Sequence, residues 1–525
     1  MEVKKDWLSG VLKVLLCVSF VYLWVMALVY VKKSYCGIPG AAVFLFAMLL
    51  DGILVWCVWK KKKAKSDKPE NIKKENICLW CASLVLLVVQ FVVIWNAVFR
   101  TAWDPGAVWY GAHFVEMGDQ DGINSMGYYF SVYPNNLLLV WIYSIVLKLN
   151  DIIGTPIANG TMLLALFQCI FVTGAGACFY KTVRHFADQK IAWIAYGFYF
   201  ILGGLSAWIM IPYSDSTGII FPIFLFYLSV KIKETESVKK RCMLLFLLFF
   251  FCYIGFEIKP MAAIVVIAIV AVEGIHFAGR LLKKQSVWKK SLLAYCLAAV
   301  LGLGAAAGGV SAVVGSMHFP VVTDTVLGWQ HHMMLGLNKD TNGGYSQADF
   351  DYSTSFSSAE EQHAAELKEI GKRLKDFGVD GYLQHFAKKS ARNYFDGCFG
   401  WGGLGETFYT EIFPERGTVL CSLIRSLYYD NTEDTLYRYQ ALFRQILWYM
   451  VLVLVPFSVF TKRPLDKKRQ VAVLSVLGLM LYLQIFEAHA RYLYTFVPIF
   501  VLLATEGIDN LREYLNQESE RRVKK

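Results

Sequence analysis

Apolar residues along this chain fall in long unbroken runs, not in the alternation of strands or the narrow stripe of surface helices. The runs are centred on 11–31, 40–59, 77–98, 158–180, 191–211, 217–231, 242–256, 261–280, 291–314, 446–461, 470–486 and 493–508. Most are close to the roughly 17–25 residues that cross a bilayer as helix. A lipid environment leaves backbone groups only helices or closed barrels, and runs of this length select helices. The pattern predicts an all-α polytopic membrane protein with about twelve transmembrane helices. Polar connectors are short except at 99–157 and 315–445. The first run follows a basic start, is too long for a signal-peptide core and has no small-residue cleavage site after it, so it reads as a retained span.

Composition agrees: 56% of residues are hydrophobic and 18% charged, against roughly 45–50% and about 25% in soluble domains. The net charge of +11 changes the picture only through its placement. The loop 60–76 holds eight lysines (Lys60–Lys63, Lys65, Lys68, Lys73 and Lys74) against three acids. Basic residues recur at Lys181, Arg184 and Lys190, at 231–241, at Arg280–Lys290, at 461–469 and in the C-terminal tail. Alternating spans put all of these on one side, the positive-inside pattern, with both termini cytoplasmic. The basic total therefore reports membrane orientation, and no nucleic-acid partner is expected.

Residues 135–150, NNLLLVWIYSIVLKLN, are apolar but short. Counting them as a crossing would move the Lys181–Lys190 loop to the wrong side, so they read as an interfacial or re-entrant helix opened by Pro134. The loop 315–445 is too long for a structureless connector. Residues 357–395 show helical spacing and 321–356 read as turns around a short helix, giving a mostly helical outer layer. The chain divides into two extra N-terminal spans with their Lys-rich loop (1–76), a membrane module (77–314), an extracytoplasmic loop (315–445) and C-terminal spans with a tail (446–525).

Candidate chemistry lies where charge interrupts apolar sequence on the outer face. The stretch 100–136 carries Asp104, Glu116, Asp119 and Asp121 among Trp, Tyr and Gly, and acids are costly inside hydrocarbon. Asp104, in WDPG, is either a helix start or a general base. Asp215, in IPYSDSTGII, is either an N-cap or a second site acid. Lys259, in EIKP, and Arg491, in EAHARYLYTF, are cations against the positive-inside trend. Each is either a snorkelling helix-end residue or a contact for an anion such as phosphate. Glu257 is a candidate partner for Lys259. His489 and Tyr492 flank Arg491 as substrate-side candidates, with a surface histidine and an aromatic belt as the plain alternatives. Glu116 is a weaker substrate-binding candidate, since a solvated turn explains it better, as it does Asp119 and Asp121.

His331 and His332 are adjacent, which points them about 100° apart on a helix and disfavours one shared ion. Cys78 and Cys81 form a CxxC inside a span and read as core residues. A disulfide between Cys398 and Cys421 has only their shared loop in its favour. Phosphate-binding loops, dinucleotide fingerprints, HExxH and GxSxG in their proper contexts are absent. No metal site and no cofactor are expected, with a divalent cation between carboxylates and phosphate left open.

In order, WDPGAVWYGA, YYFSVYPNN, SDSTGI, EIKP and ARYLYTFVP resemble the motif series of the GT-C superfamily of membrane glycosyltransferases. The nearer branch includes aminoarabinose transferase and the dolichyl-phosphate-mannose protein mannosyltransferases. The resemblance spans roughly 77–508, with YPNN in place of YPP and a single Asp-Pro in place of adjacent acids. It implies transfer of a sugar, with inversion, from a polyprenyl-phosphate carrier to an envelope glycan, lipid or protein on the outer face of a bacterial plasma membrane. It makes Asp104 the catalytic carboxylate, Asp215 a second site acid, and Lys259 and Arg491 phosphate contacts. Two other readings compete. A transporter or flippase would place polar groups mid-membrane, where Asp51 is the clearest acid. A polysaccharide polymerase or ligase would lean on outer arginines.

Overall fold

The computed structural model describes residues 6–60, 69–153, 160–283, 290–403, 407–430 and 436–523. Lys61–Lys63, Lys65 and Lys68, and with them most of the predicted Lys-rich loop, lie outside the described residues, as do Lys284 and Lys289. The chain is an all-α polytopic membrane protein. Among the described residues, ten helical stretches are long and apolar enough to cross a membrane. They are carried by α1 (Trp7–Val29), α2 (Gly40–Lys60), α3 (Pro69–Ala97), α8 (Gly160–Val183), α10 and α11 (Ser214–Gly218 and Ile220–Glu234), α12 (Val238–Ile258), α13 (Ala263–Leu282), α14 (Lys290–Gly315), α19 (Tyr437–Leu454) and α20 (Lys467–Ile485).

The other two predicted spans are helical but differ in form. The 493–508 run opens α22 (Val497–Val523), whose first half is buried and whose second half is polar. The 191–211 run is broken. It forms α9 (Gln189–Tyr199), a π-helical turn at Phe200–Gly204 and a 3₁₀ turn at Ala207–Met210. Irregular backbone at membrane depth survives only where protein groups satisfy it. Here Gln90 donates to Gly204 O (2.7 Å) and Tyr494 to Gly203 O (2.9 Å). Buried Arg444 donates to the carbonyls of Ile201, Leu202 and Leu205 (2.7–2.9 Å). Gln168 holds the exit, donating to Ile209 O and Ile211 O and accepting from Tyr213 N.

The basic loops meet at one end of the molecule. Glu75 joins Arg184 (2.6 Å), Asp188 joins Arg512 (2.8 Å), Glu234 joins Lys468 (2.7 Å) and His185 (2.9 Å), and Glu273 joins Lys467 (2.6 Å). Lys13 of α1 donates to Thr461 O and Arg463 O. The start of α1, the loops after α8, α11 and α19, and the tail of α22 therefore share this basic end. Asp215 opens the helical stretch that closes with Glu234, about 28 Å away at 1.5 Å per residue, so it lies at the opposite end.

That opposite end is built from α4 (Asp104–Met117), α5 (Gln120–Ser125), α6 (Gly127–Val132) and α7 (Leu137–Ile153). α7 follows a 3₁₀ turn at Pro134–Asn136 and has 17 residues, about 26 Å, short of a ~30 Å hydrocarbon core. A second layer holds α15 (Trp329–Gly336), α16 (Gln347–Thr354), α17 (Ala359–Tyr394, broken at Gly378) and α18 (Val419–Tyr428). The 321–356 stretch thus holds two short helices where one was expected. β1 (Phe99–Arg100) pairs antiparallel with β2 (Glu411–Ile412), tying this layer to the chain just before Asp104. Cys398 and Cys421 are both buried free thiols, so the disulfide considered from sequence does not form; Cys421 Sγ sits 3.4 Å from Asn96 O.

Candidate functional site

Four charged side chains, far apart in sequence, converge at the site end. Asp215 stands in the first turn of α10, but Tyr213 is the cap residue and no side-chain capping bond forms. Its carboxylate instead meets Lys259 Nζ at 2.6 Å and Arg491 Nε at 3.5 Å. Lys259 sits in the break between α12 and α13, where Pro260 stops the helix. It is 7% exposed and therefore not a snorkelling residue. Arg491 opens α21 (Arg491–Tyr494) and is 8% exposed. The guanidinium is flanked by Trp103 at 4.5 Å, Trp208 at 5.6 Å and Tyr213 at 5.8 Å.

Asp104 heads α4 without capping it; Trp103 is the cap residue. Its Oδ1 accepts from Tyr129 Oη (2.9 Å) and its Oδ2 from Tyr213 Oη (3.2 Å). Asn136 completes the bridge, donating to Tyr129 Oη (2.9 Å) and accepting from Tyr213 Oη (3.3 Å). Tyr213 thus joins the two acids: its hydroxyl reaches Asp104 and its ring lies between Lys259 Nζ (5.9 Å) and Arg491. Burial first, then Asp104, hold the Tyr213 phenol well above its ordinary range, so it stays a donor.

The two cations respond oppositely to burial. Burial lowers the Lys259 ammonium below its ordinary value, and Asp215 only partly opposes this. Burial also works against Arg491, but Asp215 and the neighbouring tyrosines override it and hold the guanidinium above its ordinary value. Two cations share one carboxylate. The guanidinium keeps Nε and Nη1 buried without a hydrogen-bond acceptor among the described residues.

His489 and Tyr492 belong to the same wall. His489 Nδ1 accepts from Arg491 N (3.1 Å), which places the ring proton on Nε2. Burial, then Arg491, Arg392 and Lys259, hold this imidazole well below its ordinary value, so it is neutral. The Tyr492 ring lies 5.1 Å from Lys259 Nζ, and its hydroxyl donates to Glu487 (2.9 Å). Glu116 and Glu257 do not join the group. Glu116 is at the far end of α4, about 18 Å along the helix from Asp104, beside His113 (3.3 Å). Burial, then the Asp151 carboxyl, push it up. Glu257 lies by the Tyr253 hydroxyl, and Lys259 pairs with Asp215 in its place. Asp119 caps α5 through Gly122 N (3.0 Å). His331 faces Ser353 (2.7 Å) in a fully buried network, and no group of three or more metal-ligating side chains occurs among the described residues.

The model of one protein family matches residues 1–510, under the description "conserved hypothetical integral membrane protein". The chain belongs to that family. No curated protein matches the sequence. Among solved structures the chain is similar to the archaeal oligosaccharyltransferase AglB from Archaeoglobus fulgidus, determined in complex with an inhibitory peptide and a dolichol-phosphate. Identity is 11% and the TM-score 0.33; 83% of this chain aligns with 52% of that one, so it spans about half that protein's length.

Sequence reasoning missed Tyr129, Tyr213, Asn136, Trp103 and Glu487. The chain has 29 tyrosines and 15 tryptophans, and an interfacial belt explains most of them. Only the YP turn before Asn136 and the position of Tyr213 two residues before Asp215 offered a signal.

Proposed function

We propose that this protein is a membrane glycosyltransferase that moves a sugar from a polyprenyl-phosphate carrier to an envelope acceptor, with inversion, at the site end facing away from the cytoplasm. The reading makes it a multi-pass plasma-membrane protein with both termini cytoplasmic. The observation that carries it is the Asp215–Lys259–Arg491 cluster, a buried group of net charge +1 whose guanidinium has open donors. Such a group suits a phosphate that gains charge as its bond to the sugar breaks. In this reading Asp215 holds the two cations apart and oriented, and Lys259 and Arg491 take the phosphate. Asp104, fixed by two tyrosine hydroxyls, accepts the proton of the incoming acceptor hydroxyl. The neutral imidazole of His489 keeps the backbone of Arg491 in place. The motif resemblance between 77 and 508 supports the same assignment. No step calls for a nucleotide or a cofactor.

The test is transfer of labelled sugar from polyprenyl-phosphate donors in membranes bearing Asp104→Asn or Asp215→Asn. Each substitution is expected to lower turnover by about 10²–10⁴-fold. Wild-type rates in both would remove the mechanism.

A further inference from the structure

A second site lies at the same end of the molecule, away from the charged cluster. Helix α18 is apolar on two faces. Its inner face caps α3: Arg425 Nε donates to Asn96 O (3.0 Å), and Tyr429 Oη donates to Ala97 O (2.9 Å). These are terminal carbonyls of α3 that its own helix leaves unsatisfied. The opposite face leaves Val419 88%, Leu420 50% and Leu423 45% exposed. An uncovered apolar face at the end of a membrane-crossing helix belongs at the boundary between headgroups and acyl chains.

Beside it is a cavity of about 290 Å³ lined by Trp95, Met162, Phe413, Pro414, Arg416 and Arg425, among others. Its lining mixes apolar side chains with Arg416 and Arg425, and Arg100 stands 5.6 Å over the Phe413 ring. Arg100 is paired with Glu411 (2.8 Å), and Arg425 is 3.9 Å from Glu415 and bonded to the carbonyls of Phe413 and Pro414. Arg416 lies 4.0 Å over the Trp95 ring and donates its Nε to Trp95 O (3.0 Å). The remaining guanidinium nitrogens of Arg416 have no carboxylate partner among the described residues. Trp95, in the last turn of α3, is placed as an interfacial aromatic.

We propose that this cavity is a headgroup site for an anionic phospholipid of the leaflet at the Asp104 end of the molecule. The open Arg416 fork matches a phosphodiester bidentately. The apolar side chains of the lining suit the first methylenes of the acyl chains, and the exposed face of α18 continues into the acyl layer. A soluble anion would use neither apolar surface. The site stands independently of the reading of the Asp215 cluster.

The experiment is native mass spectrometry of the full chain released from nanodiscs, comparing phosphatidylglycerol and phosphatidylcholine of identical acyl chains. The wild type is expected to retain phosphatidylglycerol in preference. Arg416→Gln, at an exposed position that does not threaten folding, is expected to weaken that retention on the order of tenfold. Arg463→Gln, exposed at the basic end, is expected to leave it unchanged. Equal retention of the two lipids by the wild type overturns the site. So does a preference that survives Arg416→Gln, or one removed by Arg463→Gln. Displacement of phosphatidylglycerol by millimolar glycerol phosphate would show a soluble-anion site and overturn the lipid assignment.

Discussion

At the scale of single residues, the decisive feature is a carboxylate shared by two buried cations. Removing one partner from a buried ion group leaves the others uncompensated, which costs roughly 3–5 kcal/mol. Asp215→Ala is therefore expected to lower thermal stability on the order of 3 kcal/mol, read as a shift in the melting of detergent-solubilised protein. Asp104→Asn keeps an acceptor for the Tyr129 hydroxyl and turns an amide donor toward Tyr213, whose hydroxyl oxygen can accept it while donating to Asn136. The substitution is expected to leave melting nearly unchanged while lowering turnover, which separates the two acids' roles. Lys259 supplies a pH test. It binds phosphate only when protonated, and its value is lowered by burial. The alkaline limb of the pH–rate profile is expected below the ~10.4 of a free lysine. Lys259→Arg, whose charge does not titrate in that range, is expected to move the limb upward. A limb unmoved by the substitution would assign it to another group. At this scale the charged members were legible, since a lysine or arginine on the face opposite the basic loops breaks a strong trend. Tyr213 was not, because a neutral ring at a membrane edge has too many ordinary explanations.

At the scale of elements, hydropathy cannot distinguish a straight span from one broken and re-satisfied by distant side chains. The 191–211 run has the composition of a span. What breaks it is partners from α3, α8, α19 and α21 that take up its carbonyls: Gln90, Gln168, Arg444 and Tyr494. The break aims Tyr213 and Asp215 into the site. Arg444→Met would strip partners from three buried carbonyls and is expected to destabilise the protein on the order of 3 kcal/mol. A melting temperature equal to wild type would show that water or the lipid replaces those bonds. A comparable clamp joins the second layer to α20. Lys389, 1% exposed, donates to Gly336 O, Gln484 O and Phe486 O at 2.8–2.9 Å. Gly336 is itself pressed against the backbone at Ile485, where a Cβ would collide. The loop that this clamp holds carries Glu487 and His489 and leads into Arg491. The helical spacing of 357–395 foretold α17, but nothing in it foretold that one of its lysines would close two helix ends.

At the scale of the whole molecule, charge is sorted by end. The basic loops share one end and the Asp104–Arg491 group the other, a separation that helices of about 20 residues impose. The expected topology follows: in a chain otherwise free of reactive cysteines, a thiol at exposed Lys339 is labelled in intact cells, and one at exposed Glu236 only after permeabilisation. The reverse pattern would turn the site toward the cytoplasm and remove a lumenal or periplasmic reaction. By itself the sequence determined the all-α membrane class, most span positions and the common side of the basic loops. Each of these follows from transferring side chains one at a time between water and hydrocarbon, a local property. Only the tertiary structure decided which charges at the site end meet, that Glu116 and Glu257 stay apart from them, and that tyrosine hydroxyls join the two acids. Those outcomes depend on distances between segments tens to hundreds of residues apart, which packing sets and no local pattern encodes.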